Sequence, residues 1–321
     1  MNLNEINIER EKKVIFMGTP EFSVPVLENL IKHYNVRAII TQPDRPVGRK
    51  GELSMPPVKK VGIEHNILVF QPEKVGTMVE EIKAFSPDFI ITCAYGQIIP
   101  KSILEIPKYG CINVHASLLP KLRGGAPIHK AIINGFKKTG VTIMYMNEKM
   151  DEGDIITQVE TIIADSDTTE KLHDRLSLLG KDLLIETLPS IFAGQNPRIA
   201  QNHAEATYGY NISREDEQID FHKTRREIFN QVRGLNSWPV AYTMLDDKRI
   251  KVWEVEIGCE NHSKLISGSI INLYKDGIGV KANDGEIILK VIQPEGKGKM
   301  SVSSYLNGLK NKEELLNKIL R

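Results

Sequence analysis

Two polar side chains with useful chemistry, Asn113 and His115, stand two residues apart in the mostly apolar stretch 111–120. An amide can donate hydrogen bonds, and an imidazole exchanges a proton near neutral pH. Because side chains alternate across a strand, Asn113 and His115 share one face while Val114 points to the other. Local geometry leaves a second interpretation open, in which both side chains are hydrogen-bonded members of the core.

The elements around this pair predict an α/β fold. Buried strands alternate with helices from a strand at Lys13–Gly18 to a long helix at Thr169–Phe192. Further strands are predicted at 36–40, 67–70, 87–94, 111–114, 140–146 and, as an antiparallel edge strand, 155–163, with helices at 24–31, 56–65, 75–85 and 127–134. This alternation predicts a Rossmann-like, doubly wound, mostly parallel sheet, with its ligands at the carboxyl ends of the strands. The GxGxxG dinucleotide fingerprint is absent from the sequence.

The second part of the chain has a different pattern of predicted elements. Short strand candidates separated by turns lie at 249–256, 268–273, 277–281 and 286–292, after a helix at 224–235. They predict a small C-terminal β-barrel of OB-like type, and a charged helix is predicted at 310–321. The predicted organisation is a polar extension at 1–12, a sheet domain at 13–195, a linker at 196–212 and the barrel domain at 213–321.

Composition limits the class of protein. The 321 residues carry a net charge of +1, and three widely spaced cysteines form neither a disulfide framework nor a CxxC metal pair, which favours a reducing cytoplasm. No stretch approaches the ~20 apolar residues of a membrane span.

The acidic residues around Asp151 lie in a glycine-containing turn without histidine at ligand spacing, so no metal site is predicted. Locally, residues 43–60 carry five basic and two acidic side chains, a patch that suits an RNA partner.

One motif carries a family resemblance. The pattern Asn113-x-His115-x-Ser117-Leu118-Leu119-Pro120, with Asp151 thirty-six residues after the histidine, resembles the signature of the 10-formyltetrahydrofolate-dependent formyltransferases. The resemblance extends over nearly the whole chain, from Val14 to about Gly308. It implies an enzyme that uses 10-formyltetrahydrofolate as a cosubstrate, with no permanently bound cofactor.

The resemblance also implies roles for individual residues. Asn113 would donate to the oxyanion of the tetrahedral intermediate, and His115 would support that oxyanion or move a proton. Asp151 would orient His115 or relay the proton, and which of the two acts as the base stays open. The implied walls of the folate pocket are Ser117, Leu118, Leu119, Pro120, Tyr95, Gly96 and Gln97. For the side chains of Leu118 and Leu119, ordinary core packing is an equal alternative.

The basic loop at 41–51 resembles an insertion that marks the family members acting on the methionyl group of initiator tRNA. The stretches 233–239 and 293–300 resemble the second domain of the same members, which implies that the barrel domain at 213–321 binds tRNA. Initiator methionyl-tRNA is therefore the expected acceptor, bound through Arg45, Arg49 and Lys50, without an obligate protein partner. Two alternatives stay open, a formyltransferase acting on an amino sugar nucleotide and a non-catalytic RNA-binding protein.

Overall fold

The computed structural model describes residues 11–47, 51–260 and 264–321. The predicted contact residues Arg49 and Lys50, and most of the predicted extension at 1–12, lie outside these ranges. The chain divides into two compact units, one of residues 1–127, 138–162 and 173–210, the other of residues 128–137, 163–172 and 211–321. The predicted domain limits stay a prediction, since neither unit is one continuous stretch of chain.

The first unit contains a mostly parallel sheet. Its strands are β1 Lys13–Gly18, β2 Asn35–Ile40, β3 Arg45–Val47, β4 Glu52–Ser54, β5 Leu68–Phe70, β6 Phe89–Cys93, β7 Cys111–His115, β8 Lys138–Tyr145 and β9 Ile155–Ile162. Seven of them form one sheet in the order β5-β2-β1-β6-β7-β8-β9. The pairs from β5 to β7 are parallel, whereas β8 and β9 each pair antiparallel with the preceding strand. The predicted Rossmann-like sheet and its antiparallel edge strand are confirmed.

The helices along this part of the chain are α1 Val24–His33, α2 Pro57–Glu64, α3 Val79–Phe85, α4 Lys101–Leu104, α5 Pro127–Ile133 and α6 Thr169–Phe192. Of these, α5 from Ile128 onward and the start of α6 up to Leu172 belong to the second unit. All five residues of β6 are buried, as expected of a parallel strand covered on both faces. Val114 of β7 points towards α6, because a Cβ built on Gly180 would lie 2.9 Å from its Cγ1. The predicted alternation along β7 therefore leaves Asn113 and His115 on the face opposite to α6.

The basic loop predicted at 41–51 carries regular structure that the sequence pattern did not suggest. Strands β3 and β4 pair antiparallel, with Arg45 opposite Ser54. Lys59 donates to Asp44 at 2.7 Å, and Gln71 donates both to Asp44 and to the carbonyl of Gln42. Hydrogen bonds from Lys59 and Gln71 lower the pKa of Asp44 from its ordinary value. The described part of this segment is therefore a hairpin fixed at its base.

The second unit is antiparallel and strand-rich, which fits the predicted small barrel. Its strands are β10 Tyr242–Leu245, β11 Lys248–Glu260, β12 Ile270–Tyr274, β13 Gly277–Ala282, β14 Gly285–Pro294 and β15 Met300–Ser301. They are ordered β10-β11-β14-β13-β12, with β15 paired to β14. The short helices are α7 Arg214–Glu217, α8 Arg225–Gly234 and α9 Val302–Asn307. The predicted start of α8 is set by a capping box between Thr224 and Glu227.

The prediction of a helix at 310–321 is wrong. Only a 3₁₀ turn forms, at Lys312–Leu315, and the following residues run along the open edge of β12. Ile270 donates to the carbonyl of Lys318 at 2.8 Å and accepts from the amide of Asn317 at 2.9 Å. The edge of β12 thus offers backbone partners that an isolated charged helix lacks.

The described helices include none that is both long and apolar enough to cross a membrane.

The three cysteines differ sharply in access. Cys93 and Cys111 are buried, and burial raises the pKa of each thiol to about 12, whereas Cys259 is exposed. We expect a thiol-reactive dye at pH 8 to label Cys259 rapidly in the native protein, with Cys93 and Cys111 reacting only after denaturation, because the thiolate is the nucleophile. Mass spectrometry of the labelled peptides checks this, and fast native labelling of Cys93 would contradict the position of β6.

Candidate active site

The carboxyl ends of three adjacent parallel strands are tied together at one backbone atom. Thr19 follows β1, Gln42 follows β2 by two residues and Tyr95 follows β6 by two residues. The hydroxyl of Thr19 and the side-chain amide of Gln42 both donate to the carbonyl oxygen of Tyr95, each at 3.1 Å. Strand order runs outward from β1 in both directions, so this is the switch point where open α/β sheets bind ligands.

Asn113 lies on β7, with its amide oriented by the neighbouring strand. Thr92 of β6 is its partner in the parallel register, and the Thr92 hydroxyl donates to Asn113 Oδ1 at 2.7 Å. Because the oxygen end of the amide faces Thr92, the Nδ2 end is directed elsewhere and keeps its hydrogens for another acceptor. Asn113 is half-buried, so a ligand can reach it.

His115 ends β7 and is only 6% exposed. Its Nε2 lies 3.0 Å from the carbonyl oxygen of Leu122. A carbonyl can only accept, so Nε2 carries a hydrogen and Nδ1 is the nitrogen that can gain or lose one. Nδ1 faces Asp151 Oδ1 at 3.7 Å. The imidazole and the carboxylate therefore lie side by side, and the ring nitrogen not engaged by Leu122 is the one that faces Asp151.

Asp151 is held from two sides. Its Oδ2 accepts from the backbone N–H of Gly124 at 2.8 Å. Its backbone has a φ of +53°, an unfavourable value for a residue with a side chain. The turn also runs close against β8, since a Cβ on Gly153 would collide with the carbonyl oxygen of Tyr145. Glycine at 153 is what allows the turn to place Asp151 beside His115.

The other carboxylates of this turn have their own cationic partners. Arg123 lies 3.2 Å from Glu152, and Arg198 lies 3.2 Å from Asp154. Among the described residues no three histidine, cysteine, aspartate or glutamate side chains are grouped to hold a metal ion. The acidic turn is thus bound by arginines and by a backbone amide.

Two residues that sequence reasoning missed, Arg123 and Gln201, lie under this turn. They are 1% and 6% exposed, and the guanidinium donates to Gln201 Oε1 through Nε at 3.1 Å and through Nη2 at 2.8 Å. His203, which sequence analysis left without a role, lies with Nδ1 3.3 Å from the same guanidinium. The only local signal was a charged residue in the otherwise small and apolar loop that follows Leu122.

The loop predicted to wall the folate pocket presents mainly backbone. The ring of Tyr95 packs in the core, and burial raises its pKa to about 12. Gln97 uses its side chain within the fold, accepting from Val75 N at 2.8 Å and donating to the Pro72 carbonyl at 3.2 Å. Gly96 has a φ of +87° and turns the chain. The backbone of Gly96 is what the loop offers at the switch point, because the carbonyl of Tyr95 already accepts from Thr19 and Gln42.

In the segment after β7, some side chains are engaged within the fold and others keep accessible surface. Ser117 donates to the carbonyl of Lys121 at 2.6 Å, and Leu119 packs in a core cluster with Met144 and Ile155. Leu118 and Pro120 are half-buried. The core-packing alternative thus describes Leu119, while Leu118 and Pro120 keep accessible surface.

Arg45, which is predicted to contact the tRNA, lies at the start of the hairpin and is exposed. The side chain of Arg45 is 60% exposed and pairs with the exposed Glu73 at 2.9 Å. Surface pairs of this type contribute little stability, so Arg45 can exchange this partner for a phosphate.

Comparison with known proteins identifies two matching family models. Residues 12–188 match the formyl transferase family and residues 211–310 match the formyl transferase C-terminal domain. The chain is 52% identical over 301 residues to the methionyl-tRNA formyltransferase of Geobacillus sp. (strain WCH70), covering 92% of this chain and 94% of that protein. It is 50% identical over 302 residues to the methionyl-tRNA formyltransferase of Staphylococcus aureus (strain MW2), covering 93% and 97%.

Solved structures share the fold at lower identity. The N-formyltransferase from Helicobacter canadensis, in complex with folinic acid and dTDP-3-aminofucose, matches with a TM-score of 0.62 at 21% identity, over 87% of this chain and 98% of that one. HypX from Aquifex aeolicus, in complex with tetrahydrofolic acid, matches with a TM-score of 0.60 at 14% identity, over 92% and 47%. These two similarities concern the fold alone. The sequence matches over both domains confirm the resemblance carried by the motif, and the chain belongs to the formyl transferase family.

Proposed function

We propose that this chain transfers the formyl group of 10-formyltetrahydrofolate to the α-amine of the methionine carried by initiator tRNA. The observation that carries the proposal is the group formed by Asn113, His115 and Asp151, with the imidazole 3.7 Å from the carboxylate and the amide oriented by Thr92. The two relatives at about half identity are both named for this reaction.

The reaction makes a bond between the amine nitrogen and the formyl carbon and breaks the bond from that carbon to N10 of the folate. A proton leaves the amine and a proton reaches N10, so no oxidant or metal is required by the balance. Asn113 Nδ2 donates to the oxyanion that forms when the amine adds to the formyl carbon. The pair of His115 and Asp151 takes and returns the proton, and because Nε2 of His115 is committed to the carbonyl of Leu122, the exchange involves Nδ1 and the carboxylate.

The formyl donor would lie at the carboxyl ends of β1, β6 and β7. The backbone at Tyr95 and Gly96, and the half-buried Leu118 and Pro120, would form the walls of the pterin pocket; Ser117, Leu119 and Gln97 would shape it indirectly, through the contacts they make within the fold. Two fold neighbours were solved with folates, which supports a folate donor. The folate enters and leaves as a cosubstrate and is not retained.

The acceptor would contact Arg45, at the start of the hairpin, and the side chains of Arg49 and Lys50. Arginine and lysine contacts to phosphate dominate affinity for RNA. The proposal requires neither a membrane nor an obligate protein partner. It places the chain in the cytoplasm, where the three free cysteines stay reduced.

A comparison of the two candidate acceptors tests the proposal. Charged initiator methionyl-tRNA and a dTDP-linked amino sugar are each incubated with radiolabelled 10-formyltetrahydrofolate. Label should appear in methionyl-tRNA and not in the sugar nucleotide. Label in the sugar alone would favour the amino sugar alternative. Tight tRNA binding without transfer, unaffected by Asn113→Ala or Asp151→Ala, would favour a non-catalytic RNA-binding protein.

Neutralising Arg49 and Lys50 should affect only the tRNA step. We expect the Arg49→Gln, Lys50→Gln double variant to raise KM for tRNA, to reduce the slope of log KM against log salt by about one per residue removed, and to leave KM for the folate unchanged. Steady-state kinetics at several salt concentrations measures this. The matched control neutralises two exposed lysines, Lys83, which pairs with Glu80, and Lys101, which pairs with Glu105. Equal effects of the two double variants would contradict the assignment of Arg49 and Lys50 to tRNA binding.

A further inference from the structure

The segment from Ile199 to Tyr210, which the sequence pattern assigns to a linker, is hydrogen-bonded along both loops of the active site. Ile199 and Ile155 exchange two backbone hydrogen bonds at 2.8 and 2.9 Å. Arg123 donates to the carbonyl of Thr207 at 2.9 Å, and Gly209 donates back to the carbonyl of Arg123 at 2.7 Å. The segment therefore connects the start of β9, which follows Asp151, with the loop that holds both His115 and Asp151.

Gln201 is the side chain that joins these two parts. Its Oε1 accepts both donors from Arg123, at 3.1 and 2.8 Å. Its Nε2 donates to the carbonyl oxygens of Asp151 and Gly153, both at 2.8 Å. At 6% exposure, the amide has both hydrogens and both lone pairs in use inside the protein.

The backbone of the turn at Asp151 needs such hydrogen bonds to keep its conformation. Asp151 has a φ of +53°, which a residue with a side chain adopts only where its surroundings impose it. Gly124 N–H fixes the carboxylate at 2.8 Å, but it does not fix the backbone that carries the carboxylate. Gln201 fixes that backbone on both sides of Glu152, and Glu152 is itself held by Arg123 at 3.2 Å.

We propose that Gln201, anchored by Arg123, is a positioning residue that holds the Asp151 carboxylate at His115 for proton transfer. This inference rests on the proposed function. Gln201 touches no reacting atom and acts through the backbone carbonyls of the turn. A misplacement of about 1 Å at a reacting group can lower a rate about 10²-fold, so loss of this hold should appear in kcat.

Gln201→Glu is the sharpest variant, because it has the same shape. The carboxylate keeps the acceptor for Arg123 and adds an opposite charge to it, which favours folding. It loses both donors and places an oxygen against the carbonyls of Asp151 and Gly153. We expect kcat for formyl transfer to fall about 10- to 100-fold, with KM for both substrates within about twofold. Gln195→Glu, the same change at an exposed position near the start of the segment, should behave as wild type.

A double-variant cycle separates positioning from a general loss of structure. In an Asp151→Asn background, Gln201→Glu should lower kcat by less than about twofold, since the group it positions has already lost its charge. If Gln201→Glu does not fold, Gln201→Met, which has a similar length and no donors, takes its place with the same expected cycle. An equal loss in both backgrounds, or wild-type kcat in the single variant, would overturn the inference.

Hydrogen exchange gives a readout that is independent of activity. The Gly124 N–H, which donates to Asp151, should exchange about tenfold faster in Gln201→Glu than in wild type or Gln195→Glu. Unchanged exchange at Gly124 would contradict the positioning role even if the wild-type protein formylated neither substrate. A wild-type protein inactive on charged tRNA with fast Gly124 exchange in Gln201→Glu would contradict the proposed function and leave the structural hold supported.

Discussion

Replacement of Asn113 by alanine is expected to lower kcat for formyl transfer by about 10²–10³-fold, the usual loss when one oxyanion donor is removed. The amide Nδ2 has no other assigned task, because Thr92 engages only the oxygen end at 2.7 Å. KM for folate and tRNA should stay within about twofold, since the donated hydrogen bond strengthens only as the oxyanion forms. Single-turnover rates with saturating folate measure the chemical step directly.

Thr92→Val is the matched control for Asn113. It removes the hydroxyl that orients the amide and keeps the amide itself, and valine suits the buried strand. The amide can then rotate, so we expect a smaller loss of kcat, at most about tenfold, the equivalent of one neutral hydrogen bond. A Thr92→Val loss as large as that of Asn113→Ala would mean that the rate depends on the strand pairing and that Asn113 is no oxyanion donor.

The parts of this site that lie on one strand could be predicted from the sequence. The alternation of side chains along β7 is a local property. Val114 points towards α6, as that alternation allows, which leaves Asn113 and His115 the opposite face. The strands of the parallel sheet were predictable for a similar reason, since β1 and β6 are short, nearly continuous apolar runs. The placement of Asp151 required the family resemblance, because no local pattern links it to His115.

Gln201 marks the limit of local reasoning. Its partner Arg123 is 78 residues away in sequence, and a glutamine in a polar stretch gives no signal of burial. The same limit explains Gln97, whose side chain closes the turn at Pro72 and Val75. It also explains the wrong helix at 310–321, where the edge of β12 supplied backbone partners that a local pattern does not contain.

Asp151→Asn is the second variant with a large expected effect. The amide oxygen can still accept from Gly124 N–H, so the turn should keep its place, while the charge that faces His115 is lost. We expect kcat to fall about 10²–10⁴-fold, the range for removing a general acid or base, with folate binding unchanged. Asp154→Asn is the control, because it removes a carboxylate from the same turn that pairs with the exposed Arg198, and it should be near wild type.

A double variant of His115 and Asp151 tests whether the two side chains act as a unit. His115→Gln retains a donor for the carbonyl of Leu122 and removes the nitrogen that faces Asp151. If the imidazole and the carboxylate handle one proton together, the double variant should be no slower than the slower single variant, within about threefold, because residues that act as a unit are not additive. If the kcat losses of the two single variants multiply in the double variant, the two residues act independently. That result would contradict the handling of one proton by the pair.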